Sequence, residues 1–516
     1  MKRYFPYLFA LIALLPVIWL RDLTPGNELR YLAIADEALR RGTWFTFTLD
    51  GAPYADKPPL YFWLLMAVRW LTGSFPLHLF PLVSLAASFA VIGTLSRWSA
   101  DEGMAPYLRR TSVWMMLICG LFTGAAIFVR MDMLMCLFIT LALRSFWLIR
   151  RGGRRQTLHR WLFPVFVFLA LFTKGPVGVL VPLLSTAVFL LFTDGLRTFP
   201  RYWGWRTWLV LLGACTLWFS AVWAEGGRAY LDNLLFHQTV DRAVRSFHHQ
   251  EPFYYYFQTI WYILVPWSLL VVGLTVSGVR HWRVLADWQQ FFLIVGLTTF
   301  AMLSCISSKI EIYLLPAVPF LVFGSVSVYP RTKGMWWQSV SVGIPALACA
   351  CTLPVLVALL CLGTLRVDGL ETFLPAATVL SASGVTALFC LLRHRGVLHA
   401  ARILAMGLLL TLCTGGWAGQ RVLNPRLSYG TVCRHARILA EEYGADRFCT
   451  WNIPRTAGID FYLHHPVENR SPEEIVSGQM HRIVLLLPAS DVDSLPQELK
   501  GAPMYLRGKY AAIVIK

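Results

Sequence analysis

The side chains of this chain that could do chemistry are few, and they recur beside apolar stretches. The segment "GNELRYLAIADEALRRGTWFTFTLDGAPYADKPPLYFW" (26–63) carries Glu28, Arg30 and Tyr31 near its start and Asp56-Lys57 near its end. "FVRMDMLM" adds Arg130 and Asp132, "FTKGPVG" adds Lys174, "SSKIEIY" adds Lys309, and His249 precedes Pro252. Charges beside a bilayer are costly unless they are paired or set in a wet cavity. Carboxylates can take a proton from an attacking hydroxyl or hold a metal. Arg and Lys grip phosphate oxygens and neutralise charge on a departing phosphate. Acids and bases gathered at one membrane face therefore suit a lipid-linked phosphate as substrate. Glu28, Asp132 and Asp56 are the candidate catalytic acids, and Lys57, Arg130, Lys174, Lys309, Arg30 and Tyr31 the candidates for holding a donor phosphate.

Each residue also has a plainer reading. A Lys at a helix end, such as Lys174 or Lys309, commonly snorkels to the interface. An Asp opening a helix, such as Asp132, commonly caps it. "FYYY" at 253–256 suits an aromatic belt at the membrane surface. The shared placement of these residues carries the weight.

The elements that must position them are membrane helices. Of 516 residues 57% are hydrophobic and only 14% charged, which leaves too little polar surface for a soluble globule. The formal net charge of +18 would suggest nucleic acid in a soluble domain, but membrane proteins concentrate Lys and Arg in cytoplasmic loops, so no nucleic-acid partner is expected. Apolar stretches at 4–20, 76–96, 111–129, 133–149, 161–173, 177–193, 208–224, 257–279, 290–306, 310–328, 336–362, 374–392 and 402–418 predict about thirteen spans in a mainly α polytopic bundle. The segment 59–72 decides the topology. If it lies along the interface and the amino terminus is cytoplasmic, the basic loops at 150–160, 197–206, 280–283, 331–333 and 393–402 all fall inside. The first loop (21–75), the candidate residues and the carboxy-terminal tail then face the periplasm.

Residues 1–419 form the expected transmembrane domain, and 420–516 a small soluble α/β domain. The tail has a helical pattern at "SYGTVCRHARILAEEYG" and short apolar runs at "RFCTW", "HRIVLLLP" and "YAAIVIK". Of eleven cysteines only Cys433 and Cys449 lie in this tail; a disulfide between them and two separate thiols are both open.

The order "ELRY…DEALRRGTWF…LDGAPYADKPPLYFW", "RMDMLM", "TKGPVG", "HHQEPFYYY" and "SSKIEIYLLPAVPF" resembles the bacterial dolichyl-phosphate-mannose-protein mannosyltransferase-like superfamily, and within it the aminoarabinose transferases that modify lipid A. The resemblance implies a GT-C glycosyltransferase of the bacterial inner membrane. Such an enzyme moves a sugar from a polyprenyl-phosphate donor to a lipid A-like glycolipid, another glycan or a protein, at the periplasmic face and among membrane lipids. It further implies that Asp56 and His249 could hold a divalent metal. Relatives commonly carry an acidic pair in the first loop, whereas this chain has Asn27-Glu28. An amide cannot accept the acceptor's proton, so Glu28, Asp56 or Asp132 takes that duty or the acceptor needs no base. A flippase or transporter for lipid-linked sugars is the alternative; charges at span ends rather than mid-span favour surface chemistry.

Overall fold

The computed structural model describes residues 4–74, 76–235, 250–363, 369–453, 456–477 and 480–515. Helix α1 (Phe5–Leu20) is apolar throughout, and the chain leaving it bends by 78° into a short turn at Pro25–Leu29 and α2 (Arg30–Arg41). In α2 the apolar residues Tyr31, Leu32, Ile34, Ala35 and Ala38 share one face and are buried. Arg40 and Arg41 pair with Asp36 and Glu37 one turn earlier, at 3.0 and 2.9 Å. A two-stranded hairpin, β1 (Thr48–Leu49) with β2 (Ala52–Pro53), follows, and then α3 (Leu60–Thr72). Its 13 residues rise about 20 Å, short of the roughly 30 Å of hydrocarbon in a bilayer. Tyr61 and Phe62 of α3 instead lie edge-on to Tyr31, ring centres 6.1 and 5.9 Å away.

The bundle continues through α4 (Phe80–Asp101), α5 (Pro106–Met116), α6 (Gly120–Ile127), α7 (Asp132–Arg151), α8 (Gln156–Lys174), α9 (Val177–Phe192) and α10 (Trp205–Asp232). Beyond residue 249 come α11 (Tyr255–Ile263), α12 (Ser268–Arg280), α13 (Asp287–Cys305), α14 (Ala317–Thr332), α15 (Trp336–Ala350), α16 (Thr352–Leu362), α17 (Leu374–Leu392) and α18 (Val397–Ala418). Among the described residues seven helical stretches are long and apolar enough to cross a membrane, or ten when three bent pairs each count as one. The expected thirteen is reached if α8, α9 and α14 cross as well. Helix α7 runs through the middle, packed on α4, α8 and α9. Some buried hydroxyls bond back to carbonyls of their own helices, as Ser99 does to Leu95 (2.7 Å) and Thr140 to Cys136 (2.8 Å), which satisfies them inside the bundle.

Two of the expected spans are broken. The stretch at 111–129 bends by 60° between α5 and α6, and that at 257–279 by 120° between α11 and α12. The breaks meet: the Gly120 amide donates to the Val265 carbonyl at 2.7 Å. Non-helical backbone survives at this depth because protein buries it and supplies its partners.

After α19 (Gln420–Leu427) and α20 (Gly430–Tyr443) comes a five-stranded sheet in the order β4 (Val467–Asn469), β3 (Arg447–Thr450), β5 (Ile483–Pro488), β7 (Tyr510–Ile515), β6 (Met504–Arg507). Strand β3 pairs parallel with β4 and β5, and β7 antiparallel with β5 and β6. Val484 and Leu486 of β5 face α20 and the first loop in a shared core, while Ile483, Leu485 and Leu487 line a second core on the other side. Cys433 belongs to the first core and Cys449 to the second, and both are unpaired thiols, so the disulfide left open by the sequence is absent. The sheet domain docks through polar contacts as well. Asn424 Nδ2 donates to the Leu20 carbonyl (2.8 Å), its Oδ1 accepts from the Asp22 amide (3.1 Å), Tyr462 Oη accepts from the Leu23 amide (2.7 Å), and Ser428 Oγ donates to the Leu23 carbonyl.

Candidate active site

Helices α7 and α8 form an antiparallel pair joined by residues 152–155, so the end of α8 returns to the level at which α7 begins. Asp132 is the first residue of α7 and Lys174 the last of α8; the two side chains form a salt bridge. The sequence "TKGPVG" explains how Lys174 gets there. Gly175 ends α8 at a φ of 115°, and Gly178 lets α9 press against α8, because a Cβ there would lie 2.4 Å from the Ala170 carbonyl carbon. The second oxygen of Asp132 accepts from Arg130 Nε at 3.1 Å. Asp132 is 1% exposed, whereas the Arg130 side chain keeps 26% of its surface. Tyr313 covers Lys174, with Nζ 4.6 Å from its ring centre. One acid and two cations leave a surplus positive charge that reaches solvent through Arg130. Burial works against the Arg130 charge, yet Asp132, Tyr31 and Glu28 nearby outweigh it and hold the guanidinium protonated.

Glu28 occupies a different kind of place. Its carboxylate takes both arms of Arg21 (2.7 and 2.8 Å), the Thr24 amide and hydroxyl (both 2.9 Å), and the Val129 amide (2.9 Å). Five donors fill the lone-pair positions a carboxylate offers. Glu28, expected as a catalytic acid, ties the first loop to the 128–131 loop that presents Arg130. Ser84 on α4 secures the same loop by donating to the Arg130 carbonyl at 3.2 Å. Neighbouring Asn27 is half-buried, and its Oδ1 accepts from Arg30 Nη2 at 2.7 Å. Arg30 also lies 5.6 and 5.9 Å from the ring centres of Tyr31 and Tyr54.

The remaining candidates gather elsewhere. Asp56 and Lys57 are half-buried in a segment held by Tyr230 of α10, whose hydroxyl donates to the Tyr54 carbonyl (2.7 Å) and accepts from the Phe47 amide (2.9 Å). Lys309 is 3% exposed and donates to the Glu251 carbonyl at 2.8 Å, beside a bridge between Gln250 and Ser308. It thereby fastens the Gln250–Glu251 segment to residues 308–309. His249 lies outside the described residues, and among those described no group of three or more His, Cys, Asp or Glu could hold a metal ion. Of the two expected metal ligands, Asp56 alone lies among the described residues.

Several residues that build the site carry no spacing signal in the sequence. Arg21 pairs with Glu28, Tyr313 caps Lys174, and Glu311 accepts from the hydroxyls of Tyr255 and Tyr262, each at 2.7 Å. Glu225 gathers the amides of Trp44, Phe45 and Thr46 at 2.6, 2.6 and 2.7 Å. Their partners lie in other segments, so only the fold reveals them.

No family model matches the chain. The crystal structure of ArnT from Cupriavidus metallidurans bound to undecaprenyl phosphate superposes with a TM-score of 0.75 over 99% of this chain and 97% of that one, at 18% identity. The fold is that of ArnT. ArnT from the same organism in the apo state matches with the same score. In sequence, the chain is related to undecaprenyl phosphate-alpha-4-amino-4-deoxy-L-arabinose arabinosyl transferases. One from Shewanella sediminis is 25% identical over 340 residues, 64% of this chain and 61% of the relative. One from Pseudomonas fluorescens is 24% identical over 476 residues, 87% and 80% of the two chains. The alignment thus spans under two thirds of the first relative's length and four fifths of the second's. The expected helical bundle with a small carboxy-terminal sheet domain has the fold of ArnT.

Proposed function

We propose that this protein is a multi-pass membrane glycosyltransferase that moves a sugar, in the first instance aminoarabinose, from a polyprenyl-phosphate donor to lipid A or a similar envelope glycolipid. The observation that carries this reading is the Asp132–Arg130–Lys174 cluster at one end of the bundle, built on the fold of an enzyme solved with undecaprenyl phosphate. The facing membrane compartment is the periplasm, with the basic loops 150–160 and 393–402 inside.

The reaction joins an acceptor oxygen to the sugar's anomeric carbon and breaks that carbon's bond to the polyprenyl phosphate, which departs with the electron pair. Arg130 and Lys174, now on Asp132, are the cations that fit the donor phosphate. As they turn to it they neutralise the leaving group and release the Asp132 carboxylate. A hydroxyl acceptor then passes its proton to Asp132, whereas an ionised phosphate acceptor needs no base. Arg30, steadied by Asn27, adds a third cation for the donor's phosphate or the acceptor's, and Glu28 positions the Arg130 loop.

The test is reconstitution in vesicles with undecaprenyl-phosphate aminoarabinose and lipid A, with product measured by mass spectrometry. Transfer that falls at least tenfold in Arg130→Ala and Lys174→Ala, with folding retained, supports the reading. Intact transfer in both variants, or no sugar missing from the envelope lipids of a deletion strain, rejects it.

A further inference from the structure

At the end of α4 remote from Asp132 the bundle holds a cavity of about 1050 Å³ between α1, α4, α5 and α18. Ser84, level with the Arg130 loop, and Ser96, on the cavity wall, lie twelve residues apart, about 18 Å along the helix. The cavity is two-natured. Phe89, Trp114 and Ile403 line its apolar part, and Arg109, Arg110 and Arg402 its polar part. Its lining contains no acid. Arg110, from α5, and Arg402, from α18, line the same cavity. Among the described residues Arg402 hydrogen-bonds only to the Leu398 carbonyl (3.3 Å) and His399 (3.4 Å), and neither Arg109 nor Arg110 has an ion-pair partner.

Three other arginines at this end of the bundle have carboxylate partners. Arg144 pairs with Asp101, Arg150 with Asp194 and Asp287, and Arg151 with Glu102. Three like charges left together over an apolar wall call for an outside anion that brings its own hydrocarbon.

We propose that this cavity is a binding site for an anionic phospholipid, its phosphodiester held by Arg109, Arg110 and Arg402 and the upper part of an acyl chain lying against Phe89, Trp114 and Ile403. Basic pockets between membrane helices recognise such headgroups by charge, and the apolar wall selects a lipid over a free anion. The site lies on the membrane face opposite the sugar-transfer site and is independent of that reading.

Native mass spectrometry of the full chain, purified in neutral detergent and offered equal phosphatidylglycerol and phosphatidylcholine, tests it. The protein should retain phosphatidylglycerol preferentially, and the Arg110→Gln/Arg402→Gln double variant should lose about thirtyfold of that preference. Gly93→Leu provides a second arm that keeps the arginines. A Cβ at Gly93 meets only the Tyr7 hydroxyl, at 4.0 Å, so the added side chain enters the cavity and should lower retention of the lipid without changing the response to inorganic phosphate. If the double variant does not fold, Gly93→Leu decides alone. An undiminished preference for phosphatidylglycerol in the variants that fold overturns the proposal. So does a thermal shift of the unaltered protein by inorganic phosphate equal to that by phosphatidylglycerol at the same concentration, which would make the ligand a free anion.

Discussion

Asp132 and Glu28 are both buried acids, yet their neighbours differ. Asp132 is held by two side-chain cations that a phosphate can draw away, whereas Glu28 is locked partly by backbone amides that cannot leave. Asp132→Asn should therefore lower turnover with a hydroxyl acceptor by about 10²–10⁴, and much less with a phosphate acceptor, as kinetics on paired acceptors would reveal. Glu28→Gln should act through stability. It leaves Arg21, whose side chain is 9% exposed, without its counter-charge, which costs on the order of 3 kcal/mol and appears as a lower unfolding temperature. Asn27→Asp should pair with Arg30 and raise the KM for donor with little change in kcat, since the added carboxylate competes with phosphate for that guanidinium. The sequence pointed to Glu28 because an acid beside a membrane is costly. It could not show how Glu28 is held, because the Val129 amide that bonds it comes 101 residues later.

Among the elements, the helices were legible because long apolar runs have few other uses, and each expected span falls on a helix or a bent pair. The bends at 117–119 and 264–267 were not legible, since their carbonyls and amides satisfy one another across the fold, as Gly120 and Val265 do, rather than locally. The tyrosines at 254–256 read as an interfacial belt, but Tyr255 and Tyr256 fasten α11 to the 310–311 segment through the Glu311 carboxylate and the Ile310 carbonyl, at 2.7 and 3.0 Å. The first loop likewise depends on a distant helix. Glu225→Ala removes the acceptor of three amides at once, and cleavage by protease near residues 44–46 should become several-fold faster while the membrane helices stay intact.

For the molecule as a whole, the sheet domain and the first loop share one core, and Asp22 lies at their seam. Burial pushes its carboxyl up from the ordinary value, with Arg434 opposing. Because the folded value is the higher one, the neutral form suits the fold. The stability associated with it is complete below the ordinary carboxylate range and is lost as pH rises through the raised value. Asp22→Asn should then stabilise the protein near neutral pH, with the difference in unfolding temperature closing as the pH is lowered toward the ordinary carboxylate range. Composition shifts near residue 420, but it does not reveal this seam, whose contacts join residues 20–23 to residues 424, 428 and 462. Those contacts also set a clock. The Asp22 amide finds Asn424 only after 402 more residues, which at about 5–20 residues per second takes roughly 20–80 s of synthesis. Until then the first loop has its helices but not its clasp. A message cut short anywhere before the tail would yield a chain that enters the membrane and still cannot set its working loop, so finishing translation is itself the step that arms the protein.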